Sequence, residues 1–210
     1  MPQGPARSHD PHDYVSPPFL VVAVGASAGG LDAFSKLLGV IPADARLAIV
    51  LVQHMSRTHP SLLPEILASR TALQVVSATD EVLVERGHVY VIPPDTHMTV
   101  IDGHLRIHPR PEGHGSVQIN ALFCSVAEFY RTKSVGVVLS GALSDGATGL
   151  QAIKAAGGVT IAQTPAEAQT ESMPRAAIST GDVDLVLPVA AIGEELLRLA
   201  GLPRYTLQSS

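Results

Sequence analysis

Phe19-Leu20-Val21-Val22-Ala23-Val24-Gly25-Ala26-Ser27-Ala28-Gly29-Gly30 compresses a strand, a sharp turn and the start of a helix into a few residues. Phe19 to Val24 is a short valine-rich run ending at glycine, the pattern of a strand buried on both faces. Gly25 to Gly30 is small-residue turn sequence, and Gly30 to Val40 has a helical pattern. The same alternation continues outward. Ala48 to Val52, Val89 to Ile92, Val135 to Leu139, Val159 to Ala162 and Val183 to Leu187 read as further buried strands. His59 to Ser69, Gln118 to Tyr130, Ala147 to Ala156 and Ala190 to Ala200 read as helices between or after them. Strands alternating with helices predict an α/β fold, a doubly wound, Rossmann-like, mostly parallel sheet with helices on both faces. One interruption is expected at the sheet margin, where His97 to Ile101 and His104 to His108 flank Asp102-Gly103, the signature of an antiparallel hairpin.

Composition agrees with one such domain. The chain has 210 residues, of which 46% are hydrophobic, with little aromatic content and no tryptophan. A core of this size needs no disulfide or metal, and Cys124, the one cysteine, cannot form an intrachain bridge. Cys124 is expected in the core on the apolar face of its helix. A net charge of -5 with no lysine/arginine stripe argues against a nucleic-acid footprint. The N-terminus lacks a signal-peptide pattern, and no apolar run is long enough to span a bilayer, so a cytoplasmic protein without membrane insertion is expected. Residues 1–18 read as a disordered tail, 19–201 as the domain and 202–210 as a second tail.

In open α/β sheets the carboxyl ends of the strands hold the site. Three residues there carry chemistry. Gly25-Ala26-Ser27-Ala28-Gly29 has the G-x-S-x-G spacing, in which small residues let the chain turn and leave a serine hydroxyl exposed. The helix that follows directs its free N–H groups at the same spot, suiting an oxyanion. A helix-capping serine or a phosphate-binding loop would use similar residues, but the loop lacks both the G-x-G-x-x-G spacing and a P-loop lysine. His54 ends the strand Ala48 to Gln53, where it can act as general base, although a structural histidine fits the position too. Asp145 follows Val135 to Leu139 and can orient an imidazole, or simply cap the next helix. The coincidence of position unites them, since all three can converge on one sheet edge. Their chain order differs from the Ser, Asp, His order of α/β-hydrolases, which points to a separate solution on a Rossmann-like sheet. A metal site among His97, His104, His108 and His114 is disfavoured. His104 and His108 share a strand face roughly 13 Å apart, and no cysteine or carboxylate cluster completes a set.

At these residues the chain resembles the catalytic domain of the bacterial chemotaxis protein-glutamate methylesterases, the CheB family. The resemblance runs from about Phe19 to about Ala200. It is carried by Val22 to Gly30, Val52-Gln53-His54-Met55, Val91-Ile92-Pro93-Pro94 with His97-Met98, Val137 to Gly141 with Asp145-Gly146, and Met173-Pro174-Arg175-Ala176-Ala177-Ile178. It implies a Ser27, His54, Asp145 triad with oxyanion support from the N–H groups near Ala28 and Ala142. It also implies hydrolysis of glutamyl methyl esters, and in many members deamidation of glutamines, on the cytoplasmic signalling helices of chemoreceptors. No metal or cofactor is implied. Arg175 is the position for contact with an acidic receptor surface, or for capping its own helix. Residues 1–18 leave no room for the receiver domain usual in the family, so the resemblance is to a stand-alone catalytic domain without aspartyl-phosphorylation control in cis. Two departures are Gly141-Ala142-Leu143 where Gly-Met-Gly is usual, and Gly115-Ser116-Val117-Gln118-Ile119-Asn120 where His-Arg-Pro-Ser-Val-Asp is usual. An intact triad favours an enzyme over a silent chemosensory binding or regulatory module. An esterase for another substrate is the remaining reading.

Overall fold

The computed structural model describes residues 17–54, 62–110 and 117–202. The expected helix start at His59, along with Met55, His114, Gly115, Ser116 and most of both tails, lies outside the described residues. Within them the strands are β1 (Leu20–Ala26), β2 (Leu47–Gln53), β3 (Gln74–Ser77), β4 (His88–Val91), β5 (Thr96–Ile101), β6 (His104–Pro109), β7 (Ser134–Val138), β8 (Val159–Gln163) and β9 (Leu185–Leu187). The helices are α1 (Gly30–Gly39), α2 (Leu63–Ala68), α3 (Gln118–Tyr130), α4 (Ala147–Ala155), α5 (Ser172–Ser179) and α6 (Val189–Leu199). None of these helices is long and apolar enough to cross a membrane.

Seven strands form one parallel sheet in the order β3-β4-β2-β1-β7-β8-β9. The chain winds from β1 outward through β2, then returns through α3 to β7 on the other side of β1. The strand order therefore reverses between β1 and β7, and the crevice at their carboxyl ends is where such sheets bind ligands. Phe34, Leu37 and Leu38 of α1 and Ile192 and Leu196 of α6 pack with Val22, Val24 and Leu51 on one face. Ile119, Phe123 and Val126 of α3 and Leu150 and Ile153 of α4 pack with Val21, Ala23 and Val50 on the other. Both faces being covered explains why the central strands are continuous apolar runs.

β5 and β6 pair antiparallel as their own two-stranded sheet, beside the large one. Asp102 and Gly103 both take positive φ, 50° and 77°, as a type I′ hairpin turn requires. The apolar runs do not foretell β3, an edge strand whose ends are exposed, or the short α5. The expectation for Cys124 is overturned. The buried stripe of α3 runs through Ile119, Leu122, Phe123 and Val126, and Cys124 falls off its edge into an exposed position.

Candidate active site

The turn after β1 is closed by its own backbone. Gly30 N–H donates to Ser27 O at 2.9 Å, and Gly29 carries the left-handed φ of 83° at the N-terminal boundary of α1. A side chain at Gly29 would also be obstructed, because its Cβ would lie 2.7 Å from Ser140 Oγ and 2.8 Å from Gln169 Oε1. Backbone bonds then join the neighbouring strand ends. Ser27 N–H donates to Ser140 O at 3.0 Å, and His54 N–H donates to Ala26 O at 3.1 Å. The buried Ser140 hydroxyl donates to Ala28 O at 2.7 Å, and Ser140 N–H donates to Gln163 Oε1 at 2.8 Å. Serine at 140 thus links β1, β7 and β8, a role its sequence position alone does not disclose.

Asp145 is buried, and its carboxylate oxygens are all engaged. Oδ2 lies 2.8 Å from His54 Nε2 and accepts Ile119 N–H at 2.9 Å. Oδ1 accepts the N–H groups of Asn120 and Gly146, both at 3.0 Å. The carboxylate therefore sits at the N-terminus of α3, where free N–H groups and the helix dipole favour negative charge. Asp145 thus caps α3 rather than the helix that follows it, while its other contact is the His54 ring. Asn120 reciprocates, its Oδ1 accepting Gly146 N–H at 3.0 Å and Gly149 N–H at 2.7 Å at the start of α4. With Nε2 engaged, Nδ1 is the His54 nitrogen left to accept a proton.

Ser27 and His54 line one cavity of about 590 Å³ with Ala28, Gly29, Gly30, Leu31, Asp32, Gln53 and Gln169. Among the described residues Ser27 Oγ makes no hydrogen bond to His54. Hydrogen bonds between a serine and its general base are often long or poorly aligned in the absence of substrate. The Ala28 and Ala142 N–H groups have no acceptor among the described residues. The next residue back from Ala142, Gly141, approaches Ser27 closely: a Cβ there would lie 3.0 Å from Ser27 Cβ and would collide with the Met173 sulfur. Leu143 follows with a positive φ of 68°. Arg175 is not brought to the cavity. It is exposed on α5, paired with Glu171 at 2.9 Å. Gln53, from the block that ends β2, and Gln169 also enter the cavity wall, and Gln169 carries no sequence signature that would have marked it. Among the described residues no group of three or more His, Cys, Asp or Glu side chains is placed to hold a metal ion.

Known proteins share this arrangement of elements. The family model for CheB methylesterase matches residues 22–196. A protein-glutamate methylesterase/protein-glutamine glutaminase of Methanosarcina barkeri is 34% identical over 189 residues, covering 85% of this chain and 52% of that protein. Protein-glutamate methylesterase FrzG of Myxococcus xanthus is 36% identical over 184 residues, covering 87% of this chain and 55% of FrzG. The crystal structure of the Thermotoga maritima CheB methylesterase catalytic domain superposes with a TM-score of 0.78 at 29% identity, covering 86% of this chain and 98% of that domain. The chain spans about half the length of these two curated relatives.

Proposed function

The chain belongs to the CheB methylesterase family, and we propose that residues 19–201 form a serine hydrolase acting on glutamyl methyl esters of chemoreceptor signalling helices in the cytoplasm. The observation that carries this reading is the 2.8 Å contact between His54 Nε2 and the buried Asp145 carboxylate, beside the cavity that Ser27 lines. Ser27 is the nucleophile. His54 Nδ1 takes its proton as Oγ attacks the ester carbonyl, and Asp145 holds the ring and stabilises the imidazolium. The Ala28 N–H, just before α1, and the Ala142 N–H, on the turn after β7, receive the oxyanion. His54 then protonates the departing methoxide, methanol leaves, and water activated by His54 frees the glutamate. A glutamine side chain offers the same carbonyl, with ammonia leaving in place of methanol, so deamidation belongs to the same proposal. The exposed Arg175 on α5 is available to an acidic receptor surface outside the cavity.

Methanol release from receptor cytoplasmic fragments methylated on glutamate, measured for the wild type and Ser27→Ala, tests this reading. Release by the wild type should fall by about 10⁴-fold or more in the variant. Equal release by both proteins, or none by the wild type from several receptors, would overturn it.

A further inference from the structure

Leu143 combines two unfavourable features. Its φ of 68° puts a branched apolar side chain in the left-handed region, and 73% of the residue is exposed. The other positive-φ residues besides glycine among those described are Glu81, Asp95, Asp102 and Arg131, all of which carry charged side chains suited to water. Leucine gains nothing from that solvent, and a glycine would meet the backbone requirement without strain. Strain held beside a reacting centre is a pointer to function. Leu143 is beside one: it directly follows Ala142, whose N–H has no acceptor among the described residues, and lies two residues before Asp145. From the other side of the turn that carries Ser27, Leu31 of α1 lines the cavity and is 38% exposed. Leu31 at the cavity wall and Leu143 on the turn that begins at Gly141, which approaches Ser27, are thus both left in water.

We infer that Leu143 is a specificity-determining residue, packing against an apolar side chain of the protein segment that carries the esterified glutamate. The inference rests on the receptor-methylesterase reading and deepens it. Any substrate whose carbonyl oxygen reaches the Ala142 N–H lies beside Leu143. A small ester can fill the cavity and leave Leu143 in water. A helix carrying the ester presents the side chains three and four residues away on the same face as the glutamate. One apolar group among them is enough to cover Leu143. Discrimination then comes from a contact that only the macromolecular substrate makes.

The test compares kcat/KM for a methylated receptor fragment with kcat/KM for N-acetylglutamate γ-methyl ester. Leu143→Asn keeps a residue that tolerates the left-handed backbone but removes the apolar contact. It should lower the ratio of protein to small-ester activity by about tenfold or more, chiefly through KM. Leu143→Met should hold the ratio within about twofold of wild type, since methionine restores apolar area of similar volume. Thermal melting should show the Asn variant at least as stable as wild type. An equal fall on both substrates would mean that Leu143 only shapes the oxyanion donors, and an unchanged ratio in Leu143→Asn would deny it any part in recognition. Either result overturns the inference while leaving the receptor reading intact. Failure of the wild type to turn over any receptor fragment would overturn both.

Discussion

The turn that presents Ser27 and the turn that presents Asp145 stand at the same edge of the sheet, yet they are built by opposite means. The Ser27 turn takes its shape first from its own residues, with Ser140 and Gln169 packed against it. Its left-handed φ falls on Gly29, its closing bond runs from Gly30 N–H to Ser27 O, and its small residues leave Ser27 half-buried at the cavity wall. The Asp145 turn is tertiary. Its left-handed positions are Leu143 and Gly146, and its carboxylate is held by amides of α3, which lies far back in the chain. A serine proposed as nucleophile has to remain accessible, which suits a position set by the backbone geometry beneath it. An orienting carboxylate has to be buried and fixed, so its position is set by donors converging from another element.

The contrast breaks most completely at Asp145. Each of its oxygens accepts two hydrogen bonds, Oδ2 from His54 and Ile119 and Oδ1 from Asn120 and Gly146. Asp145→Asn must therefore set an NH₂ group against donors whichever way the amide is turned. We expect kcat/KM to fall by about 10⁴-fold through loss of the His54 orientation. Chemical denaturation should show a loss of about 1–3 kcal/mol from unsatisfied donors. Retention of activity within tenfold would show that the carboxylate only caps α3.

The local turn has its own breaking point, with a control elsewhere in the molecule. Gly29 and Gly181 have nearly the same φ, 83° and 80°, but a Cβ at Gly181 would meet nothing within 4 Å. Gly181→Ala should cost only the backbone strain, about 1–2 kcal/mol. Gly29→Ala should cost more, by roughly 1–3 kcal/mol for overpacking against Ser140 and Gln169, and should lower kcat/KM by about 100-fold as Ser27 shifts. Equal melting temperatures for the two variants would remove the claim that close packing shapes the Ser27 turn.

Asn120 tests the tertiary turn more gently. Asn120→Ala leaves the Gly149 N–H at the start of α4 without its acceptor and the Gly146 N–H with Asp145 Oδ1 alone, for an expected loss of about 1 kcal/mol. Because Asp145 keeps its own bonds to the α3 backbone, activity should fall by no more than about tenfold. A deeper loss of activity than of stability would reveal that the reciprocal cap positions the carboxylate as well as the helix.

This difference in construction also decides what was legible beforehand. The valine runs of β1, β2 and β7 are visible because parallel strands covered on both faces have no polar side to interrupt them. Ser27 and His54 stand out as candidates because each directly follows such a run, and Asp145 because it lies in the turn that leaves one. Position along a strand is a one-dimensional property. The reciprocal capping by Asp145 and Asn120 is not, since neither residue lies directly before the helix that it caps. Asn120 stood in the sequence only as a departure from an aspartate that is usual there. Ser140 and Gln163 were equally hidden, their partners lying on strands distant in the chain. Cys124 was misplaced because one residue of helical rotation separates the buried stripe of α3 from its rim.

His97 offers the smallest effect, from the layer outside the Asp145 turn. It lies on β5 opposite His108, in the hairpin beside α3. Its pKa is lowered from 6.5, mainly by desolvation and further by His108, while Asp145 pulls it upward. The folded protein therefore resists protonating His97, and between its folded pKa and 6.5 the unfolded chain binds more protons. Stability contributed by neutral His97 is fully present above 6.5 and is lost as pH falls through that window. His97→Gln removes the titration while keeping a polar side chain on the strand. Melting temperatures at pH 7.5 and 5 should thus drop less in the variant than in the wild type, by a small margin because His97 remains partly exposed to solvent. An equal drop in both would place the acid sensitivity elsewhere. A larger drop in the variant would mean that Asp145 outweighs desolvation, linking the hairpin electrostatically to the carboxylate that orients His54.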